Sequence, residues 1–515
     1  MKKLSFLCGI LLFSALSFTA CSDDDGDNGG GKPSGGDGIG DVSGVMKDLF
    51  IAGHVRDTDG NPLSGVKVSS GTSVMMTNAS GMFSFSKIDV VNNRSVIRFV
   101  KEGYFDIVRS LESANGDWEV VMCVKGNGDI SSTNTYSSNQ AQTITAGGMK
   151  IDMPENGYMV DETGRPYNGT VNTEMVYLDP NNDNFAEMMP GGDLAATRTD
   201  GSETMLVSYG MTAVNMTDAE GNKLQLKEGS KATLTFPIPD GMTDNLPETI
   251  PLWSFNEKNG LWEEEGVAHL QGNVYVGDVT HFSWVNLDYP EDEAIVKGYV
   301  HDSNGRALSS VRVNVGQISV KTDGSGYYET KVPANSAFEL TVKPSAYGNY
   351  RNIFARPVSA LKPKEERTVN IVLPTLNRVF GRIVNKGGGS NCASIWIEYG
   401  SNKNVTKSVV SDPKDGKFTT YAPDGYIGDA IVEVLCGDGT VKNIPVKLGN
   451  ADIDLKDIVI SSEIGNGGII EVALSNGQTV SFNIPNIGGT GMSGVVVIDD
   501  YLNYIDDEEN EDIRF

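Results

Sequence analysis

Apolar side chains recur at every second position along most of the chain. Val66 and Val68, then Val311, Val313 and Val315, then Ile395 and Ile397 are each separated by one residue. A side-chain period of two puts each set on one face of a β-strand. The same spacing returns in Phe338, Leu340 and Val342, set against Glu339, Thr341 and Lys343, and in Val369, Ile371 and Leu373 just before Pro374. No long segment with a 3.6-residue period interrupts the pattern. Asp59-Gly60, Asn259-Gly260 and Asn304-Gly305 supply the residues that tight hairpins need at positive φ. The pattern predicts an all-β chain of antiparallel sandwiches.

The chain also repeats itself. Gly53 to Val68 (GHVRDTDGNPLSGVKV) matches Gly298 to Val313 (GYVHDSNGRALSSVRV) at eight of sixteen positions. In both copies a second element follows without a gap, TNASGMF from Thr77 and TDGSGYY from Thr322. A third, degenerate copy begins at Gly381, and SDPKDGKF from Ser411 stands where that second element belongs. Three related units follow from this self-similarity.

The pattern G-x-V-x-D-x-x-G-x-P-L-x-G-V-x-V, then T-D-x-x-G-x-F, then K-x-G-Y, fullest in the first copy with KEGY at Lys101 to Tyr104, resembles the carboxypeptidase regulatory-like domain. The resemblance implies a transthyretin-like seven-stranded sandwich that serves as an accessory module without chemistry of its own. The second copy lacks the Pro and the second Gly, having Ala307 and Ser310 there. The third has lost the Asp and the Leu. The stretch between copies one and two does not repeat. Its most ordered part is the hairpin LWSFNEKNGLWEEEG (Leu252 to Gly266), closed by HFSWVNLD (His281 to Asp288), with Trp253, Trp262 and Trp284 expected in its core. This part resembles the sandwich region following a regulatory-like domain in extracellular proteins such as the cartilage intermediate layer proteins. The division predicted is 48–128 for domain 1, 129–291 for a β-rich middle domain, 292–374 for domain 2, 375–460 for domain 3, and 461–515 for a hairpin and acidic tail.

The start of the chain reads as an address. Met1-Lys2-Lys3 precedes an apolar run from Leu4 to Phe18, too short to span a bilayer and right for a signal peptide over 1–20. SFTAC resembles a bacterial lipobox, which implies that Cys21 becomes the acylated first residue and is held in the outer membrane by lipid. The SDDDGD run from Ser22 resembles the export signal of Bacteroidetes-type surface lipoproteins and implies a chain facing the cell exterior. Residues 21–47 are Gly-, Asp- and Ser-rich and cannot bury enough surface to fold, so they form a tether with a reach on the order of 25 to 30 Å.

Charge and rare residues remove function classes. With 41 Lys and Arg against 68 Asp and Glu the chain carries −27 and has no basic excess for nucleic acid. None of His54, His269, His281 and His301 has a Glu three positions on, so a zinc carboxypeptidase site is not expected. DPNNDN (Asp179 to Asn184) imitates a calcium loop but lacks its turn Gly and its bidentate Glu, so an Asn-rich turn is expected and no metal or other cofactor. Cys123, Cys392 and Cys436 make an odd set, with a Cys392–Cys436 bridge left open.

Ligand contact is expected from aromatics that leave the core. By parity Trp396 points outward between inward Ile395 and Ile397, and the loop SAYGNYRNIF adds Tyr347, Tyr350 and Arg351. The sequence therefore predicts a non-enzymatic, surface-exposed lipoprotein that binds an extracellular glycan or protein. Its rivals are a structural spacer or subunit of a surface assembly and, less favoured, an enzyme of the middle domain using Glu263 and Glu265.

Overall fold

The computed structural model describes residues 44–460, except 113–115, 162, 244–245, 344–347, 350–353, 413 and 437–439, together with the strands Gly468–Ala473 and Thr479–Ile484. The expected signal peptide, Cys21, most of the tether and the acidic tail lie outside those residues.

Each repeat copy forms two facing sheets. In sandwich 1 the strand Ile51–Asp57 pairs antiparallel with Met82–Phe85 and parallel with Gly116–Met122. The facing sheet is built on Arg94–Val100, paired with Lys67–Ser70, Ile88–Val91 and Ile107–Glu112. Sandwich 2 repeats the plan. Glu293–Asp302 lies between Tyr327–Pro333 and the parallel strands Glu366–Thr368 and Ile371–Leu373, facing a sheet of Ile318–Lys321, Arg312–Val315, Phe338–Val342 and Phe354–Val358. In sandwich 3, Arg378–Asn385 lies between Lys417–Tyr421 and parallel Ile453–Ile460, facing the sheet of Ala393–Tyr399, Gly428–Cys436 and Val441–Leu448. The alternating residues point inward as read: Val66, Val68, Val311, Val313, Ile395 and Ile397 are all fully buried.

The repeated motif has a structural reason at two kinds of position. The first Gly of each copy faces the parallel partner strand so closely that a Cβ would lie 2.0 Å from the Trp118 carbonyl oxygen at Gly53 and 2.1 Å from that of Val369 at Gly298. The Thr of the second element ties two strands together: Thr77 Oγ1 accepts from Val66 N–H at 2.9 Å and donates to the Leu63 carbonyl at 2.6 Å. Thr322 does the same with Val311 and Leu308, at 2.9 and 2.6 Å. In the degenerate copy Ser411 keeps both bonds, accepting from Ala393 N–H and donating to the Asn391 carbonyl, at 2.9 and 3.1 Å. A hydroxyl is what the position needs, so the third copy holds the same sandwich despite its diverged sequence.

The middle domain is an eleven-stranded sheet running from Ser131–Ser137 to Gln142–Ala146, with a small three-stranded sheet beside it. Its own core includes Met175, Leu234, Tyr275 and Leu287. Trp253, Trp262 and Trp284 are buried, but in a different cluster: one continuous apolar core joins them to Val96, Val108 and Val121 of sandwich 1 and to Val300, Val313 and Ile371 of sandwich 2. DPNNDN forms an Asn-rich turn, with Asp179 accepting the Asn181 amide, and leads into the short helix Phe185–Met188. Cys392 and Cys436 are not bridged to each other. The strand Thr479–Ile484 of the C-terminal hairpin runs parallel to Ser73–Met76 and extends the sheet of sandwich 1.

Candidate functional site at the junction of the domains

The expectation that Trp396 lies on an open face is corrected. Parity is as read, since Ile395 and Ile397 point into sandwich 3 and Trp396 points out of it, but that face is covered by sandwich 1 and Trp396 is 0% exposed. Its ring packs in a cluster with Met82 and Leu435 and stands edge-on to His54, with ring centres 5.8 Å apart. Ser84 donates across the contact to the Cys436 carbonyl at 3.0 Å. Beyond Trp396 the same face of sandwich 3 stays open as a depression of about 570 Å³ lined by Glu398, Asp429, Ile431 and Lys447. Tyr347, Tyr350 and Arg351 lie outside the described residues.

Next to Trp396 the two sandwiches share a buried ionic cluster. Glu119 leaves sandwich 1 from the strand Gly116–Met122, and its side chain is wholly buried. Lys407 Nζ of sandwich 3 meets Glu119 Oε2 at 2.7 Å, with His54 Nδ1 3.5 Å from Oε1 and Arg56 Nε 3.7 Å from Oε2. Burial alone would raise the Glu119 carboxyl, but Lys407, His54 and Arg56 outweigh it and hold the group well below the usual carboxylate range. Lys407 is pushed the other way: burial, with Arg312 and Arg56 adding to it, lowers its ammonium to about 8 against the pull of Glu119.

Two further seams fix sandwich 1 and sandwich 2 to the middle domain. Arg94 forks onto Asp193 at 2.8 and 2.9 Å, and the buried Arg109 donates to the carbonyls of Ala186 and Met189 at 2.8 and 2.7 Å. The Asn259-Gly260 turn packs against Ser110, whose Oγ would lie 2.0 Å from a Cβ at Gly260. Gln317 of sandwich 2 exchanges two hydrogen bonds with the Ser208 backbone, at 2.9 and 2.8 Å, and Arg312 meets Glu187 at 3.1 Å. All four domains then meet around one cleft of about 180 Å³, where Arg56, Arg312, Lys343 and Lys407 face Asp57, Asp183 and Glu187. Sequence reasoning missed this junction. Its one visible trace is a carboxylate, Glu119, set in the apolar run from Trp118 to Met122.

The paired-carboxylate idea is answered residue by residue. Glu263 accepts from Asn256 and Asn259 at 2.8 and 3.0 Å, whereas Glu265 is paired with His281. Each therefore braces its own turn or strand end.

A second face is open as well. On sandwich 2, Tyr299 is 41% exposed and lies against Tyr327 with ring centres 5.3 Å apart and against His301 at 5.9 Å. Lys297, Glu329 and Glu366 surround the pair, with Tyr327 donating to Glu329 and Lys297 paired with Glu366.

No family model matches the chain. It is 26% identical over 251 residues to cartilage intermediate layer protein 2 of Homo sapiens, a match covering 44% of this chain and 20% of that protein. It is also 26% identical over 232 residues to cartilage intermediate layer protein 1 of Sus scrofa, covering 42% and 35%. The chain thus spans between a fifth and about a third of these relatives. Among solved structures it is similar to a streptococcal ancillary pilin, at 12% identity and a TM-score of 0.16 over 42% of this chain and 93% of that one. The major pilin subunit of Bacillus cereus is similar at 10% identity and a TM-score of 0.14, over 80% and 99%. Scores this low give the pilin likeness no weight beyond a shared β-rich character.

Proposed function

We propose that the chain is a non-enzymatic surface protein that binds the sugar rings of an extracellular glycan on the open face of sandwich 2, carried on a lipid anchor at Cys21. The observation that carries this reading is the Tyr299–Tyr327 pair, in which Tyr299 is exposed and Tyr327 half-buried beside it. An amphipathic ring covers the apolar face of a pyranose while neighbouring charged groups take its hydroxyls. Lys297, Glu329 and Glu366 are placed for the second task. The junction supports the reading from the other side, because the Arg312–Glu187 ion pair and the shared apolar core fix sandwich 2, which carries the tyrosine face, to the middle domain. Similarity to the cartilage intermediate layer proteins is consistent with an adhesive or structural role.

A glycan-array screen of the purified full chain, repeated with Tyr299→Ala plus Tyr327→Ala, tests the reading. Binding that disappears in the double variant upholds it. Silence across the array favours a structural spacer of a surface assembly. The anchor is tested separately: Cys21→Ala releases the chain from the membrane fraction and abolishes incorporation of labelled palmitate.

A further inference from the structure

The cleft at the four-domain junction is built from parts that no single domain supplies. Arg56 comes from sandwich 1, Arg312 and Lys343 from sandwich 2, Lys407 from sandwich 3, and Asn184 and Glu187 from the middle domain. Carboxylates stand near every cation, yet most are committed. Glu187 is held by Arg312 at 3.1 Å and Glu119 by Lys407 at 2.7 Å. Asp57 caps its own turn, accepting the amides of Asp59 and Asn61 and the side chain of Asn61. Asp183 is almost wholly in solvent.

Arg56 is the least tightly paired of the four cations. Its Nε and Nη2 are buried and make no hydrogen bond among the described residues, and its ion pair with Glu119, at 3.7 Å, is longer than a hydrogen bond. Guanidinium nitrogens buried with unmet donors are costly, and Lys407 beside Arg56 adds like-charge repulsion. An oxyanion removes both penalties at once, because its planar or tetrahedral oxygens match the guanidinium fork and its charge offsets the cations. Asn184 and Asn314 add neutral amide donors to the lining. The chain's overall −27 repels anions at long range, so affinity here has to come from the local site and not from a general field.

We propose that this cleft binds one small oxyanion, either free phosphate or sulfate or the sulfate group of an acidic sugar. Because the donors belong to different domains, the anion binds only the assembled junction and stabilises it by mass action.

The test is calorimetric titration of the purified full chain with sodium phosphate, sodium sulfate and N-acetylglucosamine 6-sulfate at constant ionic strength, with chloride as control, and thermal unfolding in parallel. The expected result is saturable one-to-one binding of at least one of the three and a rise in the unfolding midpoint that chloride does not give. Equal affinity for the sugar sulfate assigns the site to an acidic glycan, and binding confined to the inorganic ions assigns it to free anion. Arg56→Gln weakens binding at least tenfold. Asn314→Asp, which keeps the size of the side chain and adds a negative charge to the lining, does the same in a chain with unchanged circular dichroism. Absence of saturable binding to all three, or unchanged affinity in Asn314→Asp, overturns the proposal.

Discussion

Sandwich 1 and sandwich 2 share their strand plan, their first Gly and their hydroxyl tie, yet their outer faces have opposite fates. His54 and Met82 of sandwich 1 occupy the motif positions that Tyr299 and Tyr327 occupy in sandwich 2. His54 and Met82 are fully buried against sandwich 3, whereas Tyr299 is 41% exposed. Inward positions barely differ: Val55 and Val300, or Phe83 and Tyr328, are buried alike. The repeat therefore specifies a fold through its inner face and leaves the outer face free to become either an interface or a binding surface.

The largest effect should come from emptying the covered face. Trp396→Ala removes a fully buried indole from between two domains and should cost about 3–5 kcal/mol, read as a fall in the urea midpoint. Tyr299→Ala, at the open face, should stay within about 0.5 kcal/mol while lowering glycan binding. Comparable losses in both variants would erase the distinction between the faces.

Glu119→Gln should cost about 3 kcal/mol at neutral pH, because Lys407 and Arg56, both only partly exposed, then lose their buried counter-charge. It should also change the pH profile. A carboxyl held below its ordinary 4.5 in the folded state binds fewer protons than in the unfolded chain, so its stabilisation is complete above that value and is lost as pH falls below it. The native chain should therefore lose stability below about pH 4.5 more steeply than Glu119→Gln, by thermal unfolding across pH 3 to 6.

Smaller and alike in the two repeats should be the hydroxyl ties. Thr77→Val and Thr322→Val each leave a buried N–H and a carbonyl unpaired and should cost about 1–3 kcal/mol. Ser411→Ala should fall in the same range if the third copy uses the motif as the first two do.

How far the sequence could reach follows from the same contrast. Val66, Val313 and Ile395 were legible as core because period-two alternation reports which side of a strand is apolar. Trp396 was legible as outward-facing, but parity cannot tell water from a neighbouring domain, and an aromatic at such a position serves either. Glu119 and Lys407 lie far apart in the chain, one on a strand of sandwich 1 and the other in a loop of sandwich 3, so no local pattern links them. The three core tryptophans of the middle domain were rightly expected to be buried, while their membership of a core shared with sandwiches 1 and 2 needed the domain packing to be seen. Tyr299 and Tyr327 sit inside the repeat motif, where reading them as framework hid their exposure.

Sandwich 1 and sandwich 3 are locked face to face through Glu119 and Lys407. A double-mutant cycle in the full chain, with Glu119→Gln, Lys407→Met and the pair together, measures that lock by urea unfolding. A lock of this kind gives a coupling energy above about 1 kcal/mol, the double variant being less damaged than the sum of the singles. Additivity within about 0.5 kcal/mol would mean that the two side chains do not meet, and would contradict it.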